Sequence, residues 1–364
     1  MAAAEGEPIR FGILGCATIA RKVARAIHLS PNAALHAVGS RSLPKARAFA
    51  AAVASAAAAA PPRAYGSYEE VLDDPAVEAV YVPLPTALHL GWAVAAAEKG
   101  KHVLLEKPAA LRVSDLDRIL EVCQSNGVQF MDGSMWLHHH RTARMRQFLS
   151  DPTLFGNLRV IHSTSTFRAD AVFLEHNIRV KPDLDSLGAL GDLGWYGIGA
   201  ILWAADYALP ATATALPAPQ LNQAGVLLSC GASFHWHDGK AATFHSSFLS
   251  AVSMDLSVHG SGGSLQVTDL AIPFREDRAA FESTAGAHFS ELHLGWSRTP
   301  EEVAVEAPLP QEAMMVKEFA ELAMGVRDGF RRPEPKWGEV TRKTQLLVDA
   351  VKTSIELGCK TVDL

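Results

Sequence analysis

Two short segments of this chain carry side chains able to move a proton. "LLEKP", Leu104–Pro108, ends an apolar run in a carboxylate, an ammonium and a proline. "LGALGDLGWYGI", Leu187–Ile198, places Asp192 and Tyr196 four residues apart, on one face of a helix. A tyrosine is a poor base alone, because its pKa lies near roughly 10. A neighbouring cation favours the phenolate, so Lys107 and Tyr196 form a candidate proton-transfer pair. Glu106 can anchor local backbone or a cofactor, and the Lys107 ammonium can stabilise a developing alkoxide. Arg179 and Lys181 shortly precede the second segment and are candidates to bind substrate hydroxyls or a carboxylate.

The elements that must hold these residues are legible as alternation. "IRFGIL" (Ile9–Leu14), "LHAVGS" (Leu35–Ser40), "EAVYVPLP" (Glu78–Pro85), "HVLLE" (His102–Glu106) and "VQFMDG" (Val128–Gly133) read as buried strands, with helical patterns between them. Pro44 opens one helix, Gly100 and Gly127 end two others, and Ser114 with Asp117 reads as a capping box. Apolar strands alternating with helices predict a doubly wound parallel sheet, a Rossmann α/β domain over residues 1–134. Ala50 to Pro62, alanine-rich and ending in two prolines, reads as a helix end and surface loop. Beyond Met135 a helix over His140–Leu149 precedes alternating runs, "LRVIHSTSTFR", "GVLLSCGASFHW", "KAATFHSSFLS" and "MDLSVHGSGGSLQV". Helical patterns over Gln311–Arg327 and Val340–Leu357 follow. Residues 135–364 therefore form an α+β domain on a mostly antiparallel open sheet, for substrate and oligomerisation, its last helices able to pack back on the first domain. The sheet face away from its helices is expected to expose apolar positions such as those in "VLLSCGASFHW", which predicts a homodimer or dimer of dimers.

Ligands of such sheets bind beyond the carboxyl ends of the strands. Gly15-Cys16-Ala17-Thr18-Ile19-Ala20, at the first strand–helix turn, reads G-x-A-x-x-A. Gly15 suits the tight turn, Ala17 admits a pyrophosphate, and Cys16, Thr18 and Ile19 complete a helix N-terminus that favours phosphate. Two of the three fingerprint glycines are absent. The second strand ends in Ser40 and Arg41 with no acid for ribose hydroxyls, which favours NADP(H) over NAD(H).

Composition sets the remaining bounds. The 364 residues are 48% hydrophobic and 20% charged, with a formal net charge of -6 and no basic run, which argues against nucleic acid as a partner. Cys16, Cys123, Cys230 and Cys359 are widely spaced, as in a reduced compartment. "MAAAEGEP" lacks the apolar core of a secretory signal, and no stretch is apolar for long enough to span a membrane, so the expected location is the cytoplasm. His138-His139-His140 invites a metal, but consecutive residues point apart, and His235 with His237 has no third ligand; no metal is expected.

Taken together, "LPTALH", "GKHVLLEKP", "LGALGDLGWY" and "VHGSGGSLQV" resemble the glucose-fructose oxidoreductase / inositol dehydrogenase family, Gfo/Idh/MocA, over nearly the whole chain. The likeness runs to the tyrosine-bearing branch of dimeric dihydrodiol dehydrogenases and NADP-dependent D-xylose dehydrogenases, and to plant members of it. It implies Lys107 as the catalytic lysine, Tyr196 as acid/base and Asp192 as its neighbouring acid. Glu106 and Lys107 lie at the cofactor, with Pro85, Thr86 and His89 in the loop flanking the nicotinamide ribose and Trp136 near the nicotinamide. It also implies a cis peptide bond before Pro108. "LHHHR" (Leu137–Arg141), where relatives often carry aromatic residues, departs from the pattern and bears on the substrate. The expected activity is reversible hydride transfer between NADP and a CH–OH group of a sugar, cyclic polyol or dihydrodiol, a small-molecule substrate. The rival reading is a regulatory protein that senses NADP on the same fold without turnover.

Overall fold

The computed structural model describes residues 7–291 and 295–364. The N-terminal leader reading rests largely on residues 1–6, which lie outside the described residues. The chain divides into two compact units, Met1–Met135 with Leu309–Arg342, and Trp136–Pro308 with Lys343–Leu364.

In the first unit, β1 (Ile9–Leu14), β2 (Ala33–Gly39), β3 (Arg63–Tyr65), β4 (Ala79–Val82), β5 (His102–Leu105) and β6 (Phe130–Asp132) form one sheet in the order β3-β2-β1-β4-β5-β6. Every pairing in it is parallel. The chain winds outward in both directions from β1 and β4, so the crevice for a ligand opens beyond their carboxyl ends. The crossover helices are α1 (Thr18–Leu29), α2 (Leu43–Ala57), α3 (Tyr68–Asp73), α4 (His89–Glu98) and α5 (Val113–Ser125). Helix Gln311–Arg327 joins this unit, where Phe319 packs on Phe11 of β1 with ring centroids 5.8 Å apart. Two details differ from expectation. Short β3 goes unread in the sequence because a polar hub ties it down: buried Asp74 accepts from the Tyr65 hydroxyl (2.9 Å) and Arg63 (3.2 Å), and lies 3.0 Å from His36 Nε2. Ser114 does not cap α5; the helix starts one residue earlier, with extended Arg112 at the cap and no side-chain capping bond.

The second unit is built on one sheet. Its strands are β7 (Leu158–Thr166), β8 (Thr212–Ala215), β9 (Gln220–Leu221), β10 (Leu227–His235), β11 (Ala241–Ser247), β12 (Ser253–Gly260), β13 (Gly263–Val267) and β14 (Arg278–Ala285). A two-stranded hairpin, β15 (Phe289–Glu291) with β16 (Gly295–Trp296), stands apart, and β17 (Glu301–Glu306) and β18 (Val362–Asp363) complete the set. The order is β17-β14-β13-β12-β7-β11-β10-β8-β18, with β9 on β10. Pairing is antiparallel except for β7 with β11, which run parallel. The helices are α6 (His140–Leu149), α7 (Ala171–His176) and α8 (Trp195–Ala204).

The expected apolar outer face is corrected by this sheet. Val226, Leu227, Cys230, Ala232, Phe234 and Trp236 are all buried in the single chain. Among the residues of the central strands that remain accessible, His162, Thr243, His245, Ser257 and His259 are polar, and Leu158, Val160, Leu228 and Met254 are half-buried. Consecutive Leu227 and Leu228 break the alternation, so the sequence does not reveal which face the helices cover.

Candidate functional site

In the first unit, the β1–α1 turn is shaped by close approach. Gly15 has φ +116, and its amide donates to Gly39 O at 2.9 Å. A Cβ there would stand 3.0 Å from the Leu84 side chain, so the position requires glycine. Ala17 occupies the N-cap of α1 with extended backbone, makes no side-chain cap, and is followed by no acid in the first turn. The leading N–H groups of Thr18 and Ile19 are thus free of side-chain competition, the arrangement that suits a pyrophosphate. Cys16, Ala17 and Ile19 are half-buried and Thr18 exposed. At the end of β2, the hydroxyl of buried Ser40 accepts from Ser42 N at 3.3 Å, and Arg41 is exposed. Among the described residues Arg41 has no carboxylate partner.

The tips of β4 and β5 are fastened to one another. Pro85 precedes a 3-10 turn over Thr86–Leu88, with Thr86 buried. His89 is buried; its Nε2 lies 2.8 Å from Leu84 O and its Nδ1 3.2 Å from Ala109 O. Burial pushes its pKa down, opposed by those carbonyls. A neutral ring carries one N–H, so His89 donates to one of these two backbone carbonyls. The Lys107–Pro108 peptide is cis. Glu106 is buried; its carboxylate accepts from the Tyr81 hydroxyl and from Lys107 N (3.1 Å). Gly133 lies against it: a Cβ there would stand 3.0 Å from Glu106 Oε1. The acid therefore anchors the backbone that presents half-buried Lys107. Tyr81 and Gly133 escape a reading of motifs, because only the side-by-side strands bring them to Glu106.

In the second unit, a π-helical turn over Leu190–Gly194 leads directly into α8. The four-residue step from Asp192 to Tyr196 runs through this wider turn, a feature frequent at functional sites. Arg179 closes on Asp192, Nε to Oδ1 at 2.8 Å. Asp192, chiefly, raises the Arg179 pKa, with Asp185 and Tyr196 adding to it. Arg179, Asp192 and Tyr196 are thus one electrostatic cluster, with Asp185 beside it. Arg179 meets the Asp192 carboxylate through Nε, and Lys181 follows, half-buried. Trp136 is 2% exposed and edge-on to Trp203, with centroids 5.9 Å apart. In "LHHHR", the His139 ring accepts from Arg141 N at 2.9 Å and caps α6, and burial pushes its pKa down to about 4. Buried Arg141 pairs with Asp269 and donates to the carbonyls of Asp269, Leu270 and Ala280.

Comparison with known proteins agrees with both halves. A family model described as oxidoreductase family, NAD-binding Rossmann fold, matches residues 9–134, and one for the GFO/IDH/MocA C-terminal domain matches residues 142–266. An uncharacterised oxidoreductase of Rhizobium meliloti is 30% identical over 362 residues, 96% of this chain and 98% of the relative. The chain belongs to the Gfo/Idh/MocA family. Another relative, a D-xylose 1-dehydrogenase (NADP(+)) of Haloferax volcanii, is 36% identical over 52% of this chain and 55% of its own length. Among solved structures, KijD10, a 3-ketoreductase of Actinomadura kijaniata in complex with TDP-benzene and NADP, superposes with a TM-score of 0.76. It is 25% identical and the match covers 95% of this chain and 98% of that one.

The first unit carries an uncapped helix N-terminus, an exposed guanidinium beyond β2 with no carboxylate partner among the described residues, and a lysine on an anchored strand tip. The second supplies a phenol beside a guanidinium–carboxylate pair.

Proposed function

We propose that the chain is an NADP(H)-dependent oxidoreductase, transferring hydride between nicotinamide and a CH–OH group of a sugar, cyclic polyol or dihydrodiol. The observation that carries this reading is the Arg179–Asp192 pair beside Tyr196, in a family of oxidoreductases. A protein that merely sensed NADP would need pocket shape but no such proton-handling cluster. The residues present fit a phosphorylated dinucleotide: glycine where a Cβ would collide, open N–H groups on α1, and Arg41 without a competing acid. Gly15, Cys16, Ala17, Thr18 and Ile19 would hold the pyrophosphate, and Ser40 and Arg41 the 2′-phosphate. NADP supplies the hydride acceptor when bound. In the oxidation direction Tyr196 takes the hydroxyl proton, Lys107 stabilises the phenolate, and Asp192, held by Arg179, orients the acceptor of that proton. The relatives named for D-xylose and for a keto sugar support a carbohydrate-like substrate. Following NADPH absorbance across aldoses, inositols, dihydrodiols and keto sugars tests the activity; no turnover with any of them would favour the sensor.

Cofactor choice has its own test. Arg41→Ala should weaken NADP+ by about tenfold or more, the cost of one charge-assisted contact, while NAD+ binding changes little. Titration of both dinucleotides by fluorescence checks it, and equal losses would reject the 2′-phosphate assignment.

The homodimer, or dimer of dimers, belongs to the same proposal. Sedimentation velocity should show a mass of at least two chains; a monomer at every concentration would reject it. A cytoplasmic location fits cysteines that are all free among the described residues, and no described helix is long and apolar enough to cross a membrane.

A further inference from the structure

We propose that the second unit carries a binding site for a neutral saccharide, on elements separate from those of Arg179, Asp192 and Tyr196. The inference goes beyond the hydride-transfer reading and stands whether or not that reading holds.

A cavity of about 390 Å³ lies between α6, β14 and β17, wholly within the second unit. Small-molecule sites typically enclose about 300–1,000 Å³. Two sequence periods build it. Arg144, Gln147, Phe148 and Asp151 stand at i, i+3, i+4 and i+7, so one face of α6 and the turn after it supplies a wall. Phe281 and Ser283 alternate along β14 and pair in register with Val303 and Glu301 of β17, so one sheet face supplies the floor. Phe148 is held by Phe155, edge-on with centroids 5.9 Å apart, and by Gly263, where a Cβ would stand 3.2 Å from its ring. Arg298, ahead of β17, closes the lining.

The charges in this lining cancel: Arg144 and Arg298 stand against Asp151 and Glu301. Among the described residues none of the four forms an ion pair, so their polar atoms stay open to a ligand. Arg144 Nη1 donates to Gln147 Oε1 at 2.8 Å, and Arg298 Nη1 to Ala285 O at 3.2 Å, which leaves most of each fork. Asp151 Oδ1 accepts from Thr153 N (2.8 Å), the Thr153 hydroxyl (2.6 Å) and Leu154 N (3.1 Å), which fixes the carboxylate and leaves Oδ2. An anion drawn to the guanidiniums would also meet two carboxylates, and a cation the reverse. A neutral ring bearing hydroxyls meets neither penalty. Each hydroxyl both donates and accepts, matching the carboxylates on one side and the guanidiniums and amide on the other. The C–H face of such a ring packs on Phe148, Phe281 and Val303.

The test is hydrogen–deuterium exchange of the full-length protein with D-xylose, D-glucose, cellobiose, glucuronate or glucosamine. The neutral sugars should protect peptides from α6, β14 and β17, and the protection should persist in Tyr196→Phe. Its concentration dependence gives the affinity, which Glu301→Ala should reduce about tenfold by removing one charged acceptor. Glu301→Gln leaves two guanidiniums facing one carboxylate and should turn the preference toward glucuronate. Should the Glu301 variants fold poorly, Gln147→Ala on the exposed side of α6 should weaken the same protection. No protection of these elements by any neutral sugar would overturn the proposal, as would protection undiminished in the variants or lost in Tyr196→Phe. So would glucuronate or glucosamine binding the wild-type site as tightly as glucose.

Discussion

Replacing Tyr196 by phenylalanine should lower turnover by about 10²–10⁴-fold while NADPH binds nearly as in the wild type. The substitution keeps the ring at the start of α8 and removes only the proton that the reaction needs. Cofactor affinity is expected to survive because the proposed dinucleotide contacts all lie in the first unit. Lys107→Met should also cost turnover, by removing the ammonium that stabilises the phenolate and the developing alkoxide. If the two side chains act as one unit, their losses combine less than additively, as for other catalytic groups that share a proton. The measurement is turnover and NADPH affinity for both single variants and the double, with an established substrate. Near wild-type turnover in Tyr196→Phe would remove the tyrosine from the mechanism. Fully additive losses would leave both residues important but dissolve the pair.

Much of this is legible in the sequence. The first sheet is readable because its strands are buried on both faces and are punctuated by Gly15, Gly100 and Gly127, each at positive φ. Lys107 and Tyr196 stand out because each ends or begins an element with a distinctive local sequence. What stayed hidden depends on contacts between segments. Arg179 meets Asp192 across an irregular loop that has no period to read. Tyr81 meets Glu106 only because β4 and β5 lie side by side. His89 is legible as a loop residue, but the backbone carbonyls beside its ring are not. Which residues of the second sheet stay accessible is hidden for a related reason. Period-2 alternation separates two faces, and only packing says which one the helices cover.

The glycines of "LGALGDLGWYGIG" give the second large effect, because the same substitution should act oppositely at two of them. Gly188 has φ +56, and a Cβ on it would stand 2.2 Å from the carbonyl oxygen of Leu227 and 2.7 Å from the Val226 side chain. The first of those obstacles is backbone, in β10 of the same unit, and cannot rotate aside. A non-glycine residue in the left-handed region costs about 1–2 kcal/mol. Overpacking a tight site adds roughly 1–3 kcal/mol. Gly188→Ala should therefore destabilise the second unit by about 2–5 kcal/mol and lower its melting temperature by roughly 5–15 °C. Because Gly188 leads into the π-helical turn that bears Asp192, activity should fall with it even below the melting range, whereas NADPH affinity should persist. Gly199, by contrast, lies inside α8, and an added Cβ would meet only Thr344, at 4.0 Å. That is ordinary van der Waals contact, so Gly199→Ala should stabilise by about 0.5–1 kcal/mol through reduced freedom of the unfolded chain. Thermal melts of both variants, with NADPH titration, decide the matter. A Gly188→Ala protein that melts like wild type would show that β10 can yield, and that the turn holding Asp192 does not depend on this close approach.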